Sequence, residues 1–487
     1  MKEREVVIVS NRLPLSIKHD QGVTKARRSS GGLVTALLPI LRDKGGVWIG
    51  NAGTHEDEHV TELLQEETRN EGFGCVPIYV TEQEDRNFYE GFSNQVLWPL
   101  FHDFIGECRF EPAYWEFYRK VNGKFADAVM SVYRGDQTLW VHDYQLMHVA
   151  AALRERGCKG RIAFFLHTPF PSYDVFAKLP WRRDLLLSLL QYDLIGLQTE
   201  RDTRNLVSCL RRLVPEAVMS TTHTAHHVMF QGRRIVIQDF PISIDFEEFS
   251  LAAREPEVEE RTRSIIARMG MGQMIFGVDR QDYTKGIPHR LRAYGALLRR
   301  RPDLVGRVRL VQIVVPSRQN IPGYEALKAR IEHLVASING EFTQPGWVPI
   351  HYIHRSIPRE ELLALYRAAN VALVTPLKDG MNLVAKEFCA TRIDDHGVLV
   401  LSEFAGAAAE MYRGALLVNP FDVEGVAGAL EQALEMPLNQ QQERMRKLRR
   451  FLKHANVHRW VNEFMQVIEH VNHHGSTRSH QGSARSK

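Results

Sequence analysis

Short apolar runs, most of them β-branched, alternate along the chain with longer stretches of helical period. The first series is VVIVS (6–10), LWVH (139–142), IAFFLH (162–167), LIGLQ (194–198) and IVIQDFP (235–241). A second series is MIFGVD (274–279), VRLVQIV (308–314), VALVTPL (371–377), GVLVLSE (397–403) and ALLVNP (415–420). These runs are nearly all apolar rather than alternating, as parallel strands covered on both faces are. Segments such as HRLRAYGALLRRR (289–301) and RKLRRFLKHA (446–455) supply helices between them. Strand–helix alternation predicts doubly wound α/β sheets, and two series predict two Rossmann-like domains joined near 241–250. WVNEFMQVIEHV (460–471) predicts a last amphipathic helix. The polar, basic residues 475–487 predict a disordered tail.

Composition narrows this picture only a little. The 487 residues are too many for one core, consistent with two domains. Hydrophobic residues make up 44% and charged residues 25%, ordinary values for a globular chain. A net charge of +4 speaks against nucleic acid as a partner but leaves room for a local basic site. The N-terminal MKEREVVIVS has too short an apolar run for a signal peptide, and no stretch is long enough to span a bilayer. Five scattered cysteines with no CxxC pair fit a reducing compartment, so the expected location is cytoplasmic. The clusters His223/His226/His227 and His470/His473/His474 lack acidic or cysteine companions at ligand spacing, so no metal is expected.

The candidate chemistry lies at the ends of the runs, where doubly wound sheets place their ligands. In TPLKDGMNLVAKEF (375–388) a buried strand ends, Asp379-Gly380 turns, and Asn382 can cap a helix through Leu383, Val384 and Glu387. Amides at such a helix start suit a diphosphate, and Glu387 could hold a ribose. An ordinary strand–loop–helix joint would show the same spacing. VDRQDYTKG (278–286) puts Arg280 and Lys285 after a strand, where two cations could neutralise a phosphate leaving group. Arg12 in VSNRLP, His142-Asp143 in VHDYQL, His167 in FFLHTPFP and Arg318 in VPSRQN also follow strands. SSGGLVTAL (29–37) is a glycine pair, Gly31 and Gly32, that permits close backbone approach to a ligand. GVWIGNAGT (46–54) is a strand that breaks at Gly50, and strand-then-glycine alone does not distinguish a phosphate loop from a plain turn.

Taken together, VSNRLP, GGLVTAL, FYEGFSNQVLWPLFH, WVHDYQLM, FFLHTPFPS, DRQDYTKG, DGMNLVAKE, LSEFAGAA and VNPFD resemble the trehalose-6-phosphate synthases, over roughly residues 5 to 470. The resemblance implies the GT-B architecture: two facing Rossmann-like domains with a C-terminal helix crossing back to the first. Residues 1–242 would bind the acceptor, 243–456 the nucleotide-sugar donor, and 457–474 would form the crossover helix. It implies retaining transfer of glucose from a nucleoside-diphosphate glucose, UDP-glucose above all, to glucose 6-phosphate, with no cofactor and no bound metal. Gly32, Arg280, Lys285, Asp379, Met381, Asn382, Leu383, Val384, Glu387 and Ile357 would contact the donor. Arg12, Tyr89, Trp98, Asp143 and Arg318 would contact the acceptor. Arg280, Lys285, Asp143 and His167 would carry catalysis. Partners would be these two substrates, with no nucleic acid or membrane, and a homo-oligomer is compatible with the pattern.

Three positions depart from the family pattern. Asn51 stands where an acceptor-wall tryptophan is usual, Gln145 where histidine is usual, and Ile357 where an aromatic is often found. The donor machinery is intact and the acceptor wall is altered. A related transferase acting on another phosphorylated acceptor, such as glycerol 3-phosphate, is the alternative. A non-catalytic sugar-phosphate sensor would require loss of a donor residue, and Arg280, Lys285, Asp379 and Glu387 are all present.

Overall fold

The computed structural model describes residues 6–20, 23–28, 34, 37–38, 41, 45–54, 58–69, 72–222, 225–270, 272–318 and 321–471. In the first half the strands are β1 (Val6–Arg12), β2 (Leu15–Asp20), β3 (Val23–Arg28), β4 (Gly46–Asn51), β5 (Gly74–Ile78), β6 (Thr138–His142), β7 (Arg161–Phe165), β8 (Leu194–Leu197), β9 (Val218–Thr221), β10 (His226–Phe230) and β11 (Arg233–Asp239). In the second they are β12 (Gln273–Arg280), β13 (Val308–Val315), β14 (Ile350–Ile353), β15 (Val371–Val374), β16 (Val398–Ser402) and β17 (Leu416–Val418). Nine strands form one sheet in the order β5-β4-β1-β6-β7-β8-β11-β10-β9, six form another in the order β14-β13-β12-β15-β16-β17, and β2 and β3 form a hairpin. The second sheet is parallel throughout, and in the first only the pairs of β10 are antiparallel. This is the predicted α/β class.

The apolar runs owe their continuity to cover on both faces. In β1, Val6 and Ile8 join one core while Val7 and Val9 join another on the opposite face. In β12, Met274, Phe276 and Val278 face the first core and Ile275 a third. The first core takes residues from both sheets, from the connection Phe240–Phe246, and from the last helix. That helix, Val457–His470, returns to the nine-stranded sheet. Its Phe464 stacks on Trp140 with centroids 4.3 Å apart, and Trp460 Nε1 donates to the Phe240 carbonyl at 3.0 Å. Gly196 in β8 makes room, since a Cβ there would fall 2.6 Å from the Phe464 ring.

Several element ends differ from the sequence reading. The run through 371–377 is strand only to Val374, because Pro376 cannot donate to a ladder. The run 162–167 stops at Phe165, and the helix read as 446–455 begins at Leu438. The crossover helix ends at His470, with residues 472–474 and the tail 475–487 outside the described residues. No helix among the described residues is long and apolar enough to cross a membrane.

Candidate active site

Between parallel neighbours, the strand order reverses at β1/β6 in the first sheet and at β12/β15 in the second. Ligands bind beyond the carboxyl ends of strands at such a reversal. Arg12 closes β1 and Asp143 follows β6, while Arg280 closes β12 and Asp379 follows β15. The two reversals therefore supply the four strand ends that the motifs singled out. His167 follows β7 and Arg318 follows β13.

Between the sheets lies a cavity of about 730 Å³ lined by Arg12, Tyr89, Trp98, Asp143, Arg280 and Arg318, among others. All five residues expected at the acceptor are in its wall, and Arg280 is with them. Arg12 is aimed there by local irregularity. The β1–β4 register shifts between Val9 and Arg12, and a bulge of this kind re-aims a side chain. Gly50 permits it: a Cβ at Gly50 would fall 2.6 Å from Leu13 N and 2.7 Å from Arg12 C. Trp48 Nε1 donates to Ser10 Oγ at 2.8 Å, and Ser10 Oγ donates to the Arg12 carbonyl at 2.7 Å, which fixes the turn. Tyr89 sits on a π-helical segment, Arg86–Leu97, that runs directly into Trp98.

The cations differ in how they are held. Arg318 lies 3.9 Å above the centroid of Trp98. Its Nη1 donates to Tyr324 Oη at 2.5 Å and to Asp282 Oδ2 at 3.2 Å, and its Nη2 to Tyr144 Oη at 3.2 Å. Burial opposes its charge, yet Tyr144, Tyr324 and Asp282 more than offset that and hold its pKa well above the usual value. A guanidinium has five N–H donors, so these contacts leave capacity for an anion. Arg12 and Arg280 have no carboxylate within ion-pair distance among the described residues; they lie 5.5 Å from the Tyr89 ring and 5.8 Å from the Trp98 ring. The Trp98 indole N–H is buried without a partner in the cavity wall, a donor suited to a sugar hydroxyl.

Asp143 is positioned by backbone. Its Oδ1 accepts from Tyr144 N at 3.0 Å and His167 N at 3.3 Å. Burial nevertheless raises its pKa to about 6, against the lowering effect of those amides and of Arg280 and Arg318. His142 Nδ1 and His167 Nε2 are 3.2 Å apart. Burial lowers both pKa values, that of His167 to about 3, so the pair is neutral near pH 7. Asp143, Arg318 and Asn382 all have positive φ, at 74°, 49° and 77°, a strained conformation that tends to cluster at working sites.

On the donor side, Lys285 Nζ and Asp379 Oδ2 form an ion pair at 2.6 Å, and Asn382 Nδ2 donates to the same oxygen at 3.1 Å. Burial alone would raise the Asp379 pKa, and Lys285 reverses that and lowers it. Asn382 caps the helix Leu383–Thr391, its side chain accepting from Ala385 N, as its place in the sequence predicts. Met381 is buried just before the cap, and the amides of Leu383 and Val384 open the helix, where no preceding turn can accept from them. Tyr366 Oη donates to Glu387 Oε2 at 2.9 Å, and burial raises the Glu387 pKa. Ile357 packs half-buried against the shared core. Gly31 and Gly32 lie outside the described residues.

The two halves meet at this point. A Cβ at Gly380 would fall 2.1 Å from the His167 carbonyl oxygen, so the donor loop lies directly on the first half's backbone. Lys378 Nζ reaches Asp103 Oδ2 across the same junction at 2.5 Å.

Asn51 ends β4 and turns inward on itself, its Oδ1 accepting from Gly53 N at 2.8 Å. Gln145 lines the main cavity, with its Oε1 buried and unpartnered. Sequence reasoning missed Tyr144, Asp282 and Tyr324, the residues that hold Arg318. The first two stand inside motifs already singled out, next to Asp143 and two residues past Arg280. His226 and His227 bond to Thr221 and Arg234, while His223, His473 and His474 lie outside the described residues. Among the described residues no group of three or more potential ligands is placed to hold a metal ion.

Two doubly wound sheets thus face one cavity with cations at the strand ends of both reversals, an arrangement that can hold two anionic groups. The sequence matches the model of glycosyltransferase family 20 over residues 4–470, and the chain belongs to that family. It is 42% identical over 471 residues to the trehalose-6-phosphate synthase of Mycolicibacterium vanbaalenii, covering 95% of this chain and 96% of that protein. A solved structure of an α,α-trehalose-phosphate synthase (UDP-forming) from Burkholderia xenovorans in complex with glucose 6-phosphate superposes with a TM-score of 0.85. It is 34% identical and covers 96% of this chain and 100% of that one. A structure from E. coli, described as trehalose-6-phosphate bound with UDP-2-fluoro glucose, superposes with a TM-score of 0.87 at 34% identity, covering 96% and 99%.

Proposed function

We infer that the chain transfers glucose from a nucleoside-diphosphate glucose, UDP-glucose above all, to glucose 6-phosphate, forming α,α-trehalose 6-phosphate with retention. The observation that carries this reading is the single cavity in which Arg12, Arg280 and Arg318, from three strand ends, surround Trp98 and Asp143. Arg12 and Arg318 would grip the acceptor phosphate, with Tyr89, Trp98 and Asp143 around its sugar. Arg280, Lys285 and the opening amides of the Leu383–Thr391 helix would take the donor diphosphate, helped by the helix dipole. Glu387 would hold the ribose, Ile357 would lie at the base, and Asp379, His167 and Gly32 would lie against the glucose. Residues 1–242 would thus supply most of the acceptor site, with Arg318 reaching in from the second half, and 243–456 most of the donor site, with His167 and Gly32 from the first; the last helix would brace the first half.

In the reaction the bond between glucose C1 and the diphosphate oxygen breaks and a bond from C1 to the acceptor oxygen forms on the same face. The acceptor's hydroxyl proton passes to the departing diphosphate. Arg280 and Lys285 stabilise the charge that develops there, and the closed cleft orients the partners and excludes water. No carboxylate is assigned as a nucleophile, and this mechanism requires no metal or cofactor. Five free cysteines, four of them buried, support a reducing compartment such as the cytoplasm.

The test is purified protein with a panel of nucleotide-glucose donors and phosphorylated acceptors, followed by nucleotide release and product mass. Turnover with glucose 6-phosphate is expected. Turnover with glycerol 3-phosphate in its place would transfer the reading to the alternative acceptor. Turnover with neither would remove it.

A further inference from the structure

A second cavity of about 330 Å³ adjoins the first. It has Asn11, Arg12, Asp85 and Tyr89 in common with the main cavity, so the two share one wall. Its other lining includes Asn51, Thr54, Thr81 and Glu82. The volume is at the lower end of those that hold small ligands, roughly 300–1,000 Å³. Asn51 leaves it open, because its side chain folds back onto Gly53 N instead of reaching across.

The chemistry of the walls limits what could enter. Asp85, with Glu82 beside it paired to Arg86 at 2.7 Å, disfavours a second phosphate. Most of the lining side chains carry a polar group beside apolar wall from Val80, Gly53 and the Tyr89 ring, which suits a polyol better than a purely apolar group. Carboxylate, amide and hydroxyl oxygens accept hydrogen bonds from alcohols, and the Asn11 Oδ1 in the shared wall is buried with no partner. Burial raises the Asp85 pKa, with Glu90 adding to it and Arg12 opposing it. Arg12 is the joint between the two spaces and is the side chain assigned to the acceptor phosphate. On that assignment, a part of the acceptor that reached the second cavity past Arg12 would be carried at its phosphate end.

We propose that this annex receives a hydroxylated substituent carried on the acceptor's phosphate, so that the enzyme glucosylates sugar phosphodiesters as well as the monoester. The inference rests on the assignment of Arg12 and Arg318 to that phosphate. The transfer is otherwise unchanged: glucose C1 leaves the diphosphate for the acceptor's anomeric oxygen, and the proton goes to the diphosphate.

The probe is the diester of glucose 6-phosphate with glycerol, compared with glucose 6-phosphate itself, with UDP-glucose as donor. The wild-type protein is expected to turn over both. Asn51→Trp and, separately, Val80→Trp fill the annex and are expected to lower kcat/KM for the diester relative to the monoester by about tenfold or more. Thermal melts identify a variant that fails to fold, and the two positions provide independent readings. Turnover of the monoester but not the diester by wild-type protein overturns the annex and leaves the parent reading standing. So does a diester-to-monoester ratio that both variants leave unchanged. Turnover of neither acceptor removes the parent reading itself.

Discussion

Arg318, on a strand end of the six-stranded sheet, lies 3.9 Å above the ring of Trp98, a residue of the nine-stranded half. The stacking and the three hydrogen bonds of its fork hold the guanidinium in one plane. Lysine cannot reproduce either, because it presents a point charge with no planar fork. Arg318→Lys is expected to raise the KM for glucose 6-phosphate about tenfold or more while leaving the KM for the donor nearly unchanged. Initial-rate kinetics with each substrate varied in turn separate the two, and equal effects on both would refute the assignment.

Arg280 is expected to act on the leaving group. Removal of one preorganised contact to charge that develops in the transition state costs about 100- to 1,000-fold in kcat. Arg280→Ala should show a loss of that order, with a melting temperature close to wild type because the side chain has no ion pair to lose among the described residues. Near-normal turnover would exclude it from the chemistry.

Asp143 gives a pH signature that needs no substrate, which matters because the acceptor phosphate itself titrates near pH 6. Its folded pKa is raised from 3.8 to about 6. Below about pH 4 both folded and unfolded chains carry the proton. Between about 4 and 6 only the folded chain does, so this group's contribution to stability is lost as pH rises through that window. Asp143→Asn removes the titration. The wild-type-minus-variant difference in unfolding free energy should therefore decline from pH 4 to pH 6 and level off above it. A flat difference would mean that the carboxyl is not perturbed.

Phe464 and Gly196 should behave as a coupled pair. Phe464 is fully buried, and Phe464→Ala is expected to cost about 3–5 kcal/mol. Gly196→Ala alone should also destabilise, because its Cβ would fall 2.6 Å from the Phe464 ring. In the double variant the smaller side chain at 464 relieves the nearest contact, although Phe165 still lies 2.8 Å from the new Cβ, so the combined loss should be less than the sum. Denaturant unfolding of the four proteins measures the coupling, and strict additivity would show that the helix does not seat against β8.

The sequence carried most of the frame, for a physical reason. A strand such as β12 is covered on both faces, so its apolar run is unbroken and easily seen, and Asn382 caps its helix by purely local chemistry. What escaped was set by contacts distant in sequence. The hold on Arg318 joins Asp282, Tyr324 and Tyr144, which no spacing rule connects. The bulge that aims Arg12 depends on Gly50 across the β1–β4 ladder. Lys285 and Asp379 were read as separate ligand contacts, and only the adjacency of β12 and β15 reveals them as a pair. The hairpin β2–β3 has alternation too weak to stand out. Its Leu15, Ile17 and Val23 are separated by polar residues.

Gly380 has a consequence for how the catalyst fails safely. With the donor loop resting on the His167 carbonyl, the working site exists only while the two halves touch. Arg318 reaches Trp98, and Lys378 reaches Asp103, under the same condition. A parted molecule would have the proposed donor and acceptor residues on separate pieces, with complete machinery on neither. On the proposed assignment the junction would work as an interlock, since the reactive geometry is assembled from two pieces only when they meet.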